Sequence, residues 1–152
     1  SMPNTPAAIG KGVTALYAGG APRQVTALAG QLLAAIGDVV MLDDEGLMDA
    51  VTAVSGSGPA YVFLLAETMT AAGIEAGLPE ALAKQLAEAT VAGAGALIAE
   101  SDEPPSQLRV NVTSKGGTTA AALAVLMADD GMGPLLQRAI KAARDRSVEL
   151  GG

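Results

Sequence analysis

Thr90-Val91-Ala92-Gly93-Ala94-Gly95-Ala96-Leu97-Ile98-Ala99 decides the fold. The ten residues carry no charge, and six of them are alanine or glycine. They continue a helical pattern that opens at Pro79, where Leu82, Leu86 and Ala89 face away from Glu80, Lys84 and Glu88, and that runs to about Ser101. The first half is amphipathic and the second is apolar on every side. A helix apolar all round must be buried all round. In a chain of 152 residues few positions are enclosed on all sides, so a second copy of the chain is expected to cover one face.

The composition points the same way. Thirty-two alanines and 19 glycines accompany a hydrophobic fraction of 50%, while aromatics supply only 2%. Alanine favours helices, and small side chains let helix backbones approach closely. The length suggests one domain, with roughly 70% of the unfolded surface buried on folding. With no cysteine and no histidine, a disulfide, a thiolate nucleophile, a Cys/His zinc site and an imidazole base are all excluded. A formal net charge of −7 argues against nucleic acid and anionic membranes, which select basic patches. The longest apolar run, Ala50 to Ala66, is split by Ser55-Gly56-Ser57-Gly58-Pro59, and the N-terminus shows no basic segment leading into an apolar run. A cytoplasmic protein is the expectation.

Outward from the central helix, proline starts and glycine stops mark further elements. Helices are expected from Pro22 through Ile36, ending at Gly37, then from Gly46 or Leu47, from Pro59 to about Ala76, from Pro104 to about Val112, from Ala120 to Ala128 and from Pro134 to about Leu150. Val13 to Tyr17 reads as a short strand whose sheet lies elsewhere, and Val39 to Leu42 as a second strand. The fold class is therefore all-α, with about six to seven helices interleaved with a second subunit and a short β remnant at the N-terminus.

Chemistry concentrates in Ser114-Lys115-Gly116-Gly117-Thr118-Thr119. Two glycines and two threonines at a helix entrance leave backbone N–H groups without helical partners, and the helix dipole adds positive potential. That combination cradles an anion, a carboxylate as readily as a phosphate. The alternative is that Thr118 or Thr119 simply caps the helix. Elsewhere, Ser55-Gly56-Ser57-Gly58 lacks the glycine spacing of a nucleophile elbow; it reads as a sharp bend between packed helices with Ser57 capping the second. Asp43-Asp44-Glu45 suits a helix start better than a metal site, and no metal is expected. The two tyrosines and Phe63 read as core or rim.

Three segments together resemble pyrroline-5-carboxylate reductase: Asp49 to Phe63, with Ser55-Gly56-Ser57-Gly58-Pro59-Ala60-Tyr61 inside it; Leu108 to Leu123, around Val112 to Thr119; and Met2-Pro3-Asn4-Thr5-Pro6. The resemblance covers the C-terminal half of that enzyme. It implies residues 1–20 as a connector and strand left from a dinucleotide-binding domain, and residues 21–152 as a helical dimerisation and substrate-binding domain. It also implies reduction of pyrroline-5-carboxylate to proline with NADPH or NADH, held mainly by the dinucleotide-binding domain, so that this chain alone would be inactive. By the same match Ser114, Gly116, Gly117 and Thr118 hold the substrate carboxylate, Thr119 bonds the ring nitrogen as the catalytic residue, and Met2, Pro3 and Asn4 border the nicotinamide. The implied partner is a second copy, with higher homo-oligomers open. Lys115 stands where many relatives carry proline. A non-catalytic dimerisation module and a related imine or keto-acid reductase remain as alternatives.

Overall fold

A computed structural model describes residues 1–151; Gly152, the last residue of the expected helical domain, lies outside them. The described chain forms two bodies: residues 1–61 with 137–151, and residues 62–136.

In the first body, strand β1 (Gly12–Tyr17) and strand β2 (Gly37–Leu42) are joined by helix α1 (Arg23–Leu33). The strands pair in parallel, from Gly12 against Gly37 to Tyr17 against Leu42. Parallel neighbours need a long crossover, and α1 is that crossover. The expectation of a strand without a partner in this chain is thus corrected: β1 has β2 on one side and, on the other, an antiparallel bridge from Met2 to Ala15. The partner lies 25 residues on, a non-local pairing that local pattern does not reveal. Gly37 makes the register possible, since with φ at 141° a Cβ there would fall 1.9 Å from the Gly12 carbonyl oxygen. Thr14, Ala15 and Leu16 are buried in β1, whereas β2 is half exposed.

Asp44 accepts from the Gly46 amide at 2.8 Å and caps a single 3₁₀ turn, the helix-start role expected of this acidic cluster. Helix α2 (Met48–Val51) then winds through a π-helical turn at Thr52–Gly56 and leads by way of Ser57 into α3 (Gly58–Glu75). The bend between the π turn and α3 is confined to one residue, Ser57. Ser57 stays right-handed helical at φ −84° and ψ −19°, and its amide donates to Thr52 O at 2.8 Å. The widened turn leaves the Ala53 carbonyl without the Ser57 amide that an ordinary α-helical ladder would give it. The carbonyl of the fully buried Ala53 is met instead by the Tyr61 hydroxyl at 3.0 Å. The last helix, α7 (Met132–Gly151), is tied into the first body by Ser147, whose hydroxyl donates to Asp49 at 2.6 Å.

In the second body, α3 turns into α4 (Glu80–Glu100), and the pair packs where a Cβ on Gly73 would lie 3.2 Å from the Ala83 side chain. Ala83 and Ala87 are the buried residues of α4; from Ala92 to Glu100 every residue is exposed. Helices α5 (Pro105–Asn111) and α6 (Thr118–Leu126) follow.

The fully buried apolar residues are Ala15, Leu16, Ala53, Ala83 and Ala87, while Phe63, Leu97, Ile98 and many other large side chains stay open. The chain exposes 10668 Å², so it buries about half of the unfolded surface rather than the expected 70%, and it exposes roughly 3,600 Å² more than a folded monomer of this mass. The missing burial is a matter of partners, since α3 and α4 carry apolar side chains on faces that no element of the chain covers.

Candidate functional site

The site is built by the turn that ends α5 and begins α6. After Asn111 the Thr113 hydroxyl donates to the Arg109 carbonyl at 2.6 Å, closing α5 and setting the direction of the loop. The Gly117 amide then donates to the Ser114 carbonyl at 3.1 Å, a tight turn that places Gly116 at φ 72°. A Cβ on Gly117 would fall 2.3 Å from the Ser114 hydroxyl oxygen. Only a residue without a side chain lets that hydroxyl lie over the helix mouth.

Gly117 is also the N-cap of α6, so no side chain caps the helix. The reading of Thr118 or Thr119 as a plain cap is thereby corrected: both lie inside the first turn. The first returning bond is from the Ala121 amide to the Gly117 carbonyl at 3.2 Å. Among the described residues, the amides of Thr118, Thr119 and Ala120 have no backbone acceptor. They converge with the positive end of the helix dipole. The hydroxyls of Ser114, Thr118 and Thr119 likewise find no protein partner among the described residues and stay open to solvent. Lys115 is exposed beside them. The arrangement offers two or three amides and a hydroxyl to one small anion, and a second hydroxyl, on Thr119, to a polar atom attached to that anion.

Met2, Pro3 and Asn4 belong to the other body. Met2 exchanges both backbone hydrogen bonds with Ala15, at 2.9 and 3.0 Å, which fixes the segment along the free edge of β1. Asn4 accepts from the Val13 amide at 3.0 Å through Oδ1 and donates to the Ser55 hydroxyl at 3.4 Å through Nδ2. A Cβ on Gly56 would meet the Met2 sulfur at 3.5 Å. The structure thus brings together Met2, Asn4, Ser55 and Gly56. Sequence reasoning treated the last two as a bend, and the only signal that could have joined them is the co-occurrence of both motifs in one resemblance.

Fold and site define a helical domain with unfilled amides at the mouth of one helix and broad exposed apolar faces. Comparison with known proteins gives this class a family. Residues 45–150 match the family model described as pyrroline-5-carboxylate reductase dimerisation, and the chain belongs to that family. It is 49% identical to the pyrroline-5-carboxylate reductase of Synechocystis over 99% of this chain and 56% of the relative, and 48% identical to that of Pseudomonas aeruginosa over 98% and 55%. Among solved structures, the pyrroline-5-carboxylate reductase of Coxiella burnetii superposes with a TM-score of 0.92 at 37% identity, covering 98% of this chain and 55% of that one. The Plasmodium falciparum enzyme, solved with NADP bound, gives 0.84 at 32% over 99% and 60%. The chain spans about half the length of the curated relatives it matches. Among the described residues no helix is long and apolar enough to cross a membrane.

Proposed function

We propose that this chain is the substrate-binding and dimerisation part of a pyrroline-5-carboxylate reductase, acting in proline biosynthesis in the cytoplasm. The observation that carries the reading is the set of unpartnered amides at Thr118, Thr119 and Ala120 over a bare glycine N-cap. A five-membered cyclic imino acid carries its carboxylate on the ring carbon next to the nitrogen. With that carboxylate on the amides and the Ser114 hydroxyl, its ring nitrogen comes to the Thr119 hydroxyl. Thr119 accepts the N–H of the protonated imine and holds the ring in one orientation. Orientation matters here because placing the acceptor carbon against a hydride donor is most of what such a reduction requires of the protein. A chain without histidine can serve this chemistry because the protonated imine brings its own proton.

NADPH or NADH supplies the hydride when bound. Residues of this chain fit only its nicotinamide end: the Met2 side chain stands beside Gly56, where a Cβ would meet its sulfur at 3.5 Å, and Asn4 holds the Ser55 hydroxyl next to it. The phosphates are assigned to the dinucleotide-binding domain that the relatives' greater length accommodates, with β1 and β2 continuing its sheet; an isolated two-stranded parallel sheet would be poorly stable in water. The partner is a second copy, seated on the charge-free half of α4.

Proline, the expected product, tests the site directly. Titration into the isotope-labelled chain should shift the amide resonances of Thr118, Thr119 and Ala120 in a saturable way. Unmoved resonances would leave a dimerisation module that binds nothing. The chain alone should not oxidise NADPH in the presence of pyrroline-5-carboxylate, whereas the complete polypeptide encoded by the gene should.

A further inference from the structure

Asn4 occupies an unusual place at the edge of β1. The Met2–Ala15 pair opens an antiparallel ladder whose next rung would join Asn4 to Val13 through their backbones. Instead the Val13 amide is received by the Asn4 side chain at 3.0 Å, and the Asn4 carbonyl turns away to accept from Ala7 at 3.2 Å. The carboxamide stands in for its own backbone, which lets the chain leave the sheet at once into the Thr5–Ile9 turn. Its other end, Nδ2, donates to Ser55 Oγ at 3.4 Å. A serine hydroxyl that accepts one hydrogen bond keeps its own proton to give. Among the described residues nothing takes that proton, and Ser55 is the one polar side chain lining an apolar groove with Val13, Ala15, Val40 and Val54.

We infer that Asn4 and Ser55 form a positioning pair in which Asn4, locked to β1, makes Ser55 a one-way hydrogen-bond donor to the nicotinamide carboxamide oxygen. The inference rests on the proposed reductase reading, and on Met2 to Asn4 bordering the nicotinamide. A flat ring whose carboxamide sets an acceptor oxygen beside an NH2 donor suits an apolar groove with one hydroxyl, the hydroxyl taking the oxygen and the NH2 facing out of the groove. Asn4→Asp keeps the acceptor for Val13 but replaces the Nδ2 donor with a second acceptor, so Ser55 would spend its proton on the new carboxylate.

The test uses the complete encoded polypeptide, with NADPH binding followed by fluorescence and turnover measured separately. Asn4→Asp and Ser55→Ala should each raise the NADPH dissociation constant about tenfold while the KM for the imine stays unchanged. The double variant should be no worse than either single one, because both remove one shared interaction. Ser55→Thr should restore binding. Variants that unfold at lower temperature yet bind NADPH like the parent would overturn the positioning role, as would additive effects in the double variant. Failure of the unaltered polypeptide to bind NADPH or NADH at all would instead overturn the reductase reading on which the pair depends.

Discussion

Gly117 shows how one absent methyl group sets the site. Its Cβ position is already claimed by the Ser114 hydroxyl, 2.3 Å away, and by the Ser114 carbonyl oxygen at 3.3 Å. Gly117→Ala should push Ser114 off the mouth of α6 and reshape the turn, weakening proline binding at least tenfold in calorimetry. Ser114→Ala is the milder change. It removes one hydrogen bond to a charged ligand, about 1.5–3 kcal/mol, so proline affinity should fall roughly 10- to 100-fold with the melting temperature nearly unaltered. Gly37 makes a contrasting case. There an added methyl would sit 1.9 Å from the Gly12 carbonyl oxygen, in a backbone conformation that side chains disfavour, so Gly37→Ala should break the β1–β2 register and lower stability. Urea unfolding separates the two, since the first acts on the ligand and the second on the fold.

At the scale of elements, the helices were legible because their punctuation is local. Pro79 and Pro104 directly precede α4 and α5, Pro59 and Pro134 sit in the first turns of α3 and α7, and Gly77 follows α3, so these boundaries fall within about two residues of the pattern. Illegible were the features that depend on distant residues or on a choice between helical windings. The β1–β2 pairing needs α1 as a bridge, and in the π turn at Thr52–Gly56 the Ser57 amide reaches Thr52 while the Tyr61 hydroxyl serves the Ala53 carbonyl. The bare cap of α6 was half legible: glycines and threonines announced an anion cradle, but which residue becomes the N-cap is settled by the packing of Ser114 over Gly117. Tyr61→Phe tests the π turn. Loss of the hydroxyl leaves the buried Ala53 carbonyl without its side-chain donor, which should cost about 1–3 kcal/mol in chemical denaturation and leave proline binding intact.

For the whole molecule the decisive quantity is surface. A chain that leaves Phe63, Leu97 and Ile98 half open or more has not finished burying what its sequence offers, and the surplus of roughly 3,600 Å² per chain, about 7,200 Å² for a pair, is well above the area that transient interfaces bury. Stability should therefore belong to the pair of chains rather than to one. Mass action then gives a signature that no single-chain core produces: the melting temperature should rise with protein concentration, and a 100-fold dilution should cost about 2.7 kcal/mol of apparent stability. Leu97→Glu, placed in the uncharged half of α4, should convert the dimer to a poorly folded monomer in light scattering, because a carboxylate with no counter-charge would have to be buried. Gln85→Glu lies in the half of α4 that already carries charge and should leave the mass unchanged. A monomeric mass for the unaltered chain, with melting independent of concentration, would mean that these apolar faces are tolerated in water and that α4 has another purpose.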